Sequence, residues 1–153
     1  MSEHRATVEW TRKTPGFGYR EFNRSHIVRF KDGEHAVAGD AIADFFGEGD
    51  GADPEAMFAA AMAACHMLTF LAVASNQGVV VDAYLDEPTA ILEKDASGKT
   101  AVTSVVLRPK VTFAAAVSPE MLDKLHQRAH RGCFLTNSVK SEISIEPQLD
   151  APA

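Results

Sequence analysis

An α+β domain, with antiparallel sheets around one long buried helix, is the fold class this sequence predicts. Three observations predict it. Residues 56–74 carry no Asp, Glu, Lys or Arg and are rich in Ala, Met, Phe, Leu and Val, as in a helix buried on all sides. Short β-branched runs flank that stretch and are separated by Gly, Pro, Asn and Asp. The runs come in hairpin-like order (strands, long helix, strands, helices, strand), which favours antiparallel pairing over a doubly wound sheet.

Taken in order, residues 6–10 alternate as a short strand, and Thr14-Pro15-Gly16-Phe17-Gly18 is a turn. From 22 to 30 the alternation is clean. Phe22, Arg24, His26, Val28 and Phe30 share one face, and Asn23, Ser25, Ile27 and Arg29 the other. Asp32-Gly33 then predicts a tight hairpin turn into a return strand at 35–39. The glycine-rich stretch 45–51 lacks the lysine of a phosphate loop and carries two acids, so it reads as a connector. Asp53 can cap a helix, Pro54 suits its first position and Glu55 suits the positive end of its dipole. Asn76 and Gly78 can end it, giving a rod of roughly 35 Å. A membrane span is set aside because Ala gains little from lipid and no Lys or Arg flanks the run.

Beyond the helix, 79–85 and 89–93 read as strands, and Asp95-Ala96-Ser97-Gly98-Lys99 as a turn. A longer strand at 103–113 contains Pro109, which implies an edge or a bulge. Ser118-Pro119-Glu120 opens a second helix that Gly132 ends, a third short helix can follow to 140, and 142–146 form a last strand. The predicted organisation is one domain over 1–147 with a flexible tail at 148–153. A rod this apolar needs more cover than a few short strands provide, so a homodimer is expected.

Apolar content of 46 % and charged content of 24 % are ordinary for a soluble globular chain. A net charge of −6 without a basic patch argues against nucleic acid as a partner. The first residues show no apolar run or cleavage signal, so a cytoplasmic location is expected, with no membrane partner.

Two cysteines, Cys65 in the long run and Cys133 after the second helix, carry the chemical interest. A thiol at mid-helix has no helix N-terminus to ionise it and needs a cation from elsewhere, whereas Cys133 can sit at the start of a new helix. If the two meet in space they can act as an attacking and a resolving thiol; otherwise they are small core residues. His126 and His130, four apart, with Cys133 and Cys65 form a conceivable zinc set. A His pair at that spacing is usually solvated surface, however, and no Cys-x2-Cys partner exists, so no metal or cofactor is expected. No Gly-x-Ser-x-Gly elbow supports a serine hydrolase.

The string from Asp53-Pro54-Glu55 to Ala63-Ala64-Cys65 resembles the central helix of the OsmC/Ohr proteins. Ala129-His130-Arg131-Gly132-Cys133 with Asn137-Ser138-Val139-Lys140 is similar to their second-cysteine segment, and the likeness runs from about Tyr19 to Pro147. It implies an OsmC-like fold in an intertwined homodimer. It also implies a thiol-dependent peroxidase that reduces organic hydroperoxides in oxidative-stress defence, with a dithiol or a lipoylated protein as reductant. By the same resemblance Cys65 is the peroxidatic thiol and Cys133 the resolving one, closing a Cys65–Cys133 disulfide. Glu55 then orients an arginine beside the thiolate, Arg24 first and Arg20 second. Glu55 stands ten residues before Cys65, about 15 Å along a helix, so it must act through that arginine, a helix break or a partner subunit. Met57, Phe58, Met67, His66 and His26 are the expected substrate-binding residues. The chain departs from the best-known members at Phe134, where they carry proline, and in lacking their early Gly-Arg-Gly motif. The competing reading is a non-catalytic module of the same fold that binds an apolar ligand or partner, with ordinary buried thiols.

Overall fold

A computed structural model of the chain describes residues 1–148; of the expected tail, 149–153 lie outside the described residues. Gln148 is tied down, its N–H donating to Pro109 O at 2.8 Å. The chain divides into two compact units, one over 1–57 and one from Phe58 onward.

The first unit holds an antiparallel sheet of β1 (Ala6–Glu9), β2 (His26–Phe30) and β3 (His35–Gly39), in that order. Strand β2 starts four residues later than the alternation predicted. The side chain of Asn23 turns onto the backbone, accepting from Lys13 N–H at 2.8 Å and donating to Thr11 O at 3.1 Å, which competes with strand pairing. Phe30 pairs with His35, so the expected two-residue turn is a four-residue loop, with positive φ at Lys31, Asp32 and Gly33. The glycine-rich connector closes on Asp40. This 1 %-exposed carboxylate accepts N–H groups from Ala41, Glu48, Gly49 and Asp50 at 2.7–3.3 Å. Burial works to raise the Asp40 carboxyl, but these N–H groups outweigh it and hold it below its ordinary value. The chain's own carboxylate thus fills the cradle that a bound anion would take.

Helix α1 (Pro54–Asn76) opens as its sequence predicts, with Asp53 Oδ1 accepting the Ala56 N–H at 2.8 Å. In the second unit β4 (Val81–Asp86) pairs with β7 (Pro109–Phe113), and β5 (Thr89–Lys94), β6 (Thr100–Leu107) and β8 (Glu142–Ile145) form a separate sheet. The single strand expected at 103–113 is therefore two strands in two sheets, and the chain changes sheet at Arg108, whose N–H donates to Asp86 Oδ1 at 2.7 Å. Strands β6 and β8 run parallel, an exception to the antiparallel expectation. Helix α2 (Pro119–Gly132) is capped by Ser118, whose Oγ accepts the Met121 N–H. In place of a third helix there is one short turn, Thr136–Ser138.

Two apolar clusters form the core of this unit. One gathers Ala59, Met62, Ala63, Val105, Leu107 and Ile143; the other gathers Phe70, Ala74, Leu125 and Ala129. Both take side chains from a single stripe of α1 at three- and four-residue spacing. The helix is long and apolar enough to cross a membrane by length and composition. In the single chain, however, it is not covered on every side as expected. Ala60, Ala61, Ala64 and Ala72 are exposed, and Leu68 is 63 % exposed.

Phe70, fully buried at the centre of the second cluster, should be expensive to truncate. Phe70→Ala is expected to lower unfolding stability by about 3–5 kcal/mol in a urea titration; a loss under about 1 kcal/mol would contradict this packing.

Candidate functional site

Cys65 faces outward from the buried stripe of α1 and is partly exposed; Cys133 follows the last turn of α2 and is wholly buried. Both are free thiols, hydrogen-bonded to each other with their sulfurs 2.6 Å apart. The two cysteines, separate in sequence, therefore meet within reach of a disulfide. Their ionisation differs. Burial works against the Cys133 thiolate, but hydrogen bonds from Cys65, the Thr136 hydroxyl and the N–H groups of Thr136 and Leu135 prevail, lowering it from the ordinary thiol value. Cys65 is raised, first by burial and then by its hydrogen bond to Cys133, against weaker help from Leu135 and Phe134 N–H groups. The short turn after Cys133 thus does the work that a third helix was expected to do, by aiming backbone N–H groups at sulfur.

Beside the thiols lies a feature that spacing alone misread. His126 is not a solvated partner of His130. It is 3 % exposed and shares a 3.1 Å hydrogen bond, through Nδ1, with Nε2 of the fully buried His66. The two rings are nearly parallel, at 8°, and Phe70 packs on His126 with centroids 4.5 Å apart. His66 is pushed down to about 4, chiefly by burial and then by the proximity of His126 and His130. His126 is also pushed down to about 4, by burial, with Asp123 opposing. His66 is therefore packed in the core of its unit rather than presented to a substrate. Among the described residues no group of three or more His, Cys, Asp or Glu is arranged to hold a metal ion, so the zinc set does not assemble.

The first unit brings Arg24 and His26 together on the wall of an apolar cavity of about 420 Å³, with Trp10, Phe17, Phe22, Asp40 and Pro54. The Arg24 guanidinium donates to the carbonyls of Phe22, Tyr19 and Phe45 and lies 3.5 Å over the Phe22 ring. His26 Nδ1–H donates to Arg24 O at 2.9 Å. Arg20 is exposed, 5.5 Å from the Phe46 ring centroid. No ion pair joins Glu55 to either arginine among the described residues, and carbonyls hold Arg24 within this chain. Phe58 packs against the first core cluster of the second unit, while Met57 and Met67 are half-buried.

The model of the OsmC-like protein family matches residues 47–148. The chain belongs to the OsmC-like family. Among solved structures it is similar to an OsmC-like protein of unknown function from Vibrio cholerae, with 39 % identity over 97 % of this chain and 100 % of that one, at a TM-score of 0.89. It shares its fold with the organic hydroperoxide resistance protein OhrB of Bacillus subtilis (21 % identity, 96 % and 98 % coverage, TM-score 0.71). It shares it also with an organic hydroperoxide resistance protein OsmC of Legionella pneumophila (19 % identity, 96 % and 96 % coverage, TM-score 0.70). No functionally curated protein matches the chain.

The His66–His126 pair of this OsmC-like chain did carry a sequence signal. Leu122, Leu125, His126 and Ala129 fall on one face of α2, which places His126 with the core residues and not with the solvated ones. Both imidazoles are buried neutral, with values well below the ordinary 6.5. The unfolded chain therefore takes up more protons than the folded one as pH falls from about 6.5 towards 4. The stability they supply is complete above that window and lost within it. The unfolding midpoint is expected to drop between pH 6.5 and 4, and a His66→Leu/His126→Leu variant to show a flatter profile. Equal slopes for both proteins would contradict the buried neutral pair.

Proposed function

We propose that this OsmC-like chain is a thiol-dependent peroxidase that reduces organic hydroperoxides in a reducing cytoplasm. The observation that carries the proposal is the Cys65–Cys133 contact at 2.6 Å. Cys65 is the one sulfur of the two that a substrate can reach. Its thiolate attacks the terminal oxygen of R–O–OH; the O–O bond breaks, an alkoxide leaves and takes a proton to become the alcohol, and Cys65 becomes a sulfenic acid. Cys133, the more acidic thiol, then attacks the Cys65 sulfur, and hydroxide leaves as water while the disulfide closes. A dithiol, free or as a lipoyl group on a protein, returns two electrons and two protons and restores both thiols.

The first step needs Cys65 ionised, and the influences on Cys65 within its unit include no positive charge. The proposal assigns that charge to Arg24, with Arg20 second. Arg24 suits the role because three carbonyls fix its position without neutralising it. The proposal keeps Met57, Phe58 and Met67 as the apolar lining that favours the organic group of a bulky hydroperoxide over hydrogen peroxide.

The proposal includes a homodimer. The outward side of α1 leaves Leu68 63 % exposed, with Val80 at 62 % and Leu85 at 59 % in the same unit, and Val8 is 69 % exposed on β1. These exposed apolar side chains support the dimer reading.

Addition of one equivalent of an organic hydroperoxide is expected to consume both thiols and form an intramolecular disulfide, and Cys65→Ser to abolish turnover. Thiols that survive until the protein is unfolded would replace the peroxidase with the non-catalytic binding module. The chain is expected to run at twice its mass in light scattering at micromolar concentration, and Leu68→Glu to yield monomer; a monomeric wild type would remove the dimer.

A further inference from the structure

The thiol pair is held by a contact that the reaction itself does not use. Besides their apolar packing, α1 and the segment formed by α2 and Cys133 meet at three points within the second unit. The sulfurs of Cys65 and Cys133 touch; His66 Nε2 and His126 Nδ1 are 3.1 Å apart; and Thr69 packs where a side chain on Gly132 would begin. A Cβ at Gly132 would stand 3.1 Å from Thr69 Cγ2, a tight contact that would push Thr69 aside by a few tenths of an ångström, so glycine suits this close approach of the end of α2. Thr69 in turn donates its hydroxyl proton to Cys65 O at 2.9 Å.

The remaining α1–α2 packing, Phe70 and Ala74 against Leu125 and Ala129, is apolar. Such contacts tolerate sliding, because burial is not directional. The imidazole bond is directional, and each ring depends on the other: His66 Nδ1 and His126 Nε2 are buried with no partner among the described residues. Sliding α2 along α1 would leave both rings with no hydrogen bond at all. The bond sits one residue from Cys65 and two helical turns from Cys133, so it fixes how α2 delivers Cys133.

We propose that the buried His66–His126 hydrogen bond positions the thiol pair: by setting the register of α2 on α1 it sets how readily the Cys65–Cys133 disulfide closes. His66 and His126 are positioning residues and exchange no proton with the substrate. The inference rests on the reading of Cys65 and Cys133 as a closing pair and deepens it.

The test uses amide side chains of two lengths in the full chain. His66 bonds through its far nitrogen, which Gln can imitate and Asn cannot; His126 bonds through its near nitrogen, which Asn can imitate and Gln cannot. The dithiol–disulfide equilibrium is read in a glutathione redox buffer on samples shown by circular dichroism to be folded. His66→Gln and His126→Asn are expected to stay within about 3-fold of wild type, and His66→Asn and His126→Gln to lower the equilibrium constant about 10-fold or more. Equal constants for long and short amides at both positions would overturn the proposal, since a role confined to general stability does not depend on amide reach in this reciprocal order. Should the mismatched variants not fold, imidazole 15N spectra of wild type decide. Shifts at His66 and His126 between dithiol and disulfide forms support the coupling, and identical spectra overturn it. Peroxide takes no part in either measurement. A chain that closes its disulfide as expected yet reduces no hydroperoxide would sink the proposed function and leave this inference standing; a wild type that never closes the disulfide sinks both.

Discussion

A narrow strip of contact between α1 and the end of α2 is the constraint on which the proposed chemistry depends. Along it the apolar residues supply cohesion, and the polar ones, two thiols and two imidazoles, supply position. A buried polar atom is costly unless paired, so each of these groups can be tolerated only where its partner stands. That requirement turns a packed interface into a defined one. The same burial makes the two thiols unequal. Cys133 collects N–H donors from the turn that follows it, while Cys65 keeps its proton and its access to solvent. In the proposed reaction the partly exposed sulfur meets the oxidant and so needs a positive charge to ionise it, whereas the enclosed sulfur is already the more acidic of the two.

The first unit shows a complementary use of polar groups. Asp40 is bound by backbone N–H groups and shapes a loop, whereas Arg24 is bound by carbonyls and keeps its charge. A guanidinium held by neutral acceptors beside aromatic rings is arranged before any anion arrives, which is the condition under which a fixed charge acts most strongly. Apolar side chains stay exposed on β1, α1 and β4, at Val8, Leu68 and Leu85, and these are the positions the proposed dimer would cover.

Much of this was legible in the residues. The start of α1 is written in Asp53-Pro54-Glu55 and its end in Asn76, and Ser118 marks α2, because capping is local chemistry. The meeting of Cys65 with Cys133 followed from family resemblance, not from spacing. What escaped was tertiary. Pro109 signalled an interruption, but nothing local says that the chain changes sheets there. The parallel β6–β8 pairing joins segments far apart in sequence, and Asn23 holds back the start of β2 through bonds to residues ten and more positions away. The four-residue spacing of His126 to His130 suggests a solvated pair, whereas the apolar face of α2 on which His126 lies carries it into the core.

The most direct measurement is to trap the sulfenic acid with dimedone after one equivalent of organic hydroperoxide, using Cys133→Ser so that no disulfide can consume it. Peptide mass spectrometry should find the adduct on Cys65, with none on Cys133 in the matching Cys65→Ser protein. An unmodified Cys65, or an adduct that forms as fast on Cys133, would contradict the assignment of the attacking sulfur.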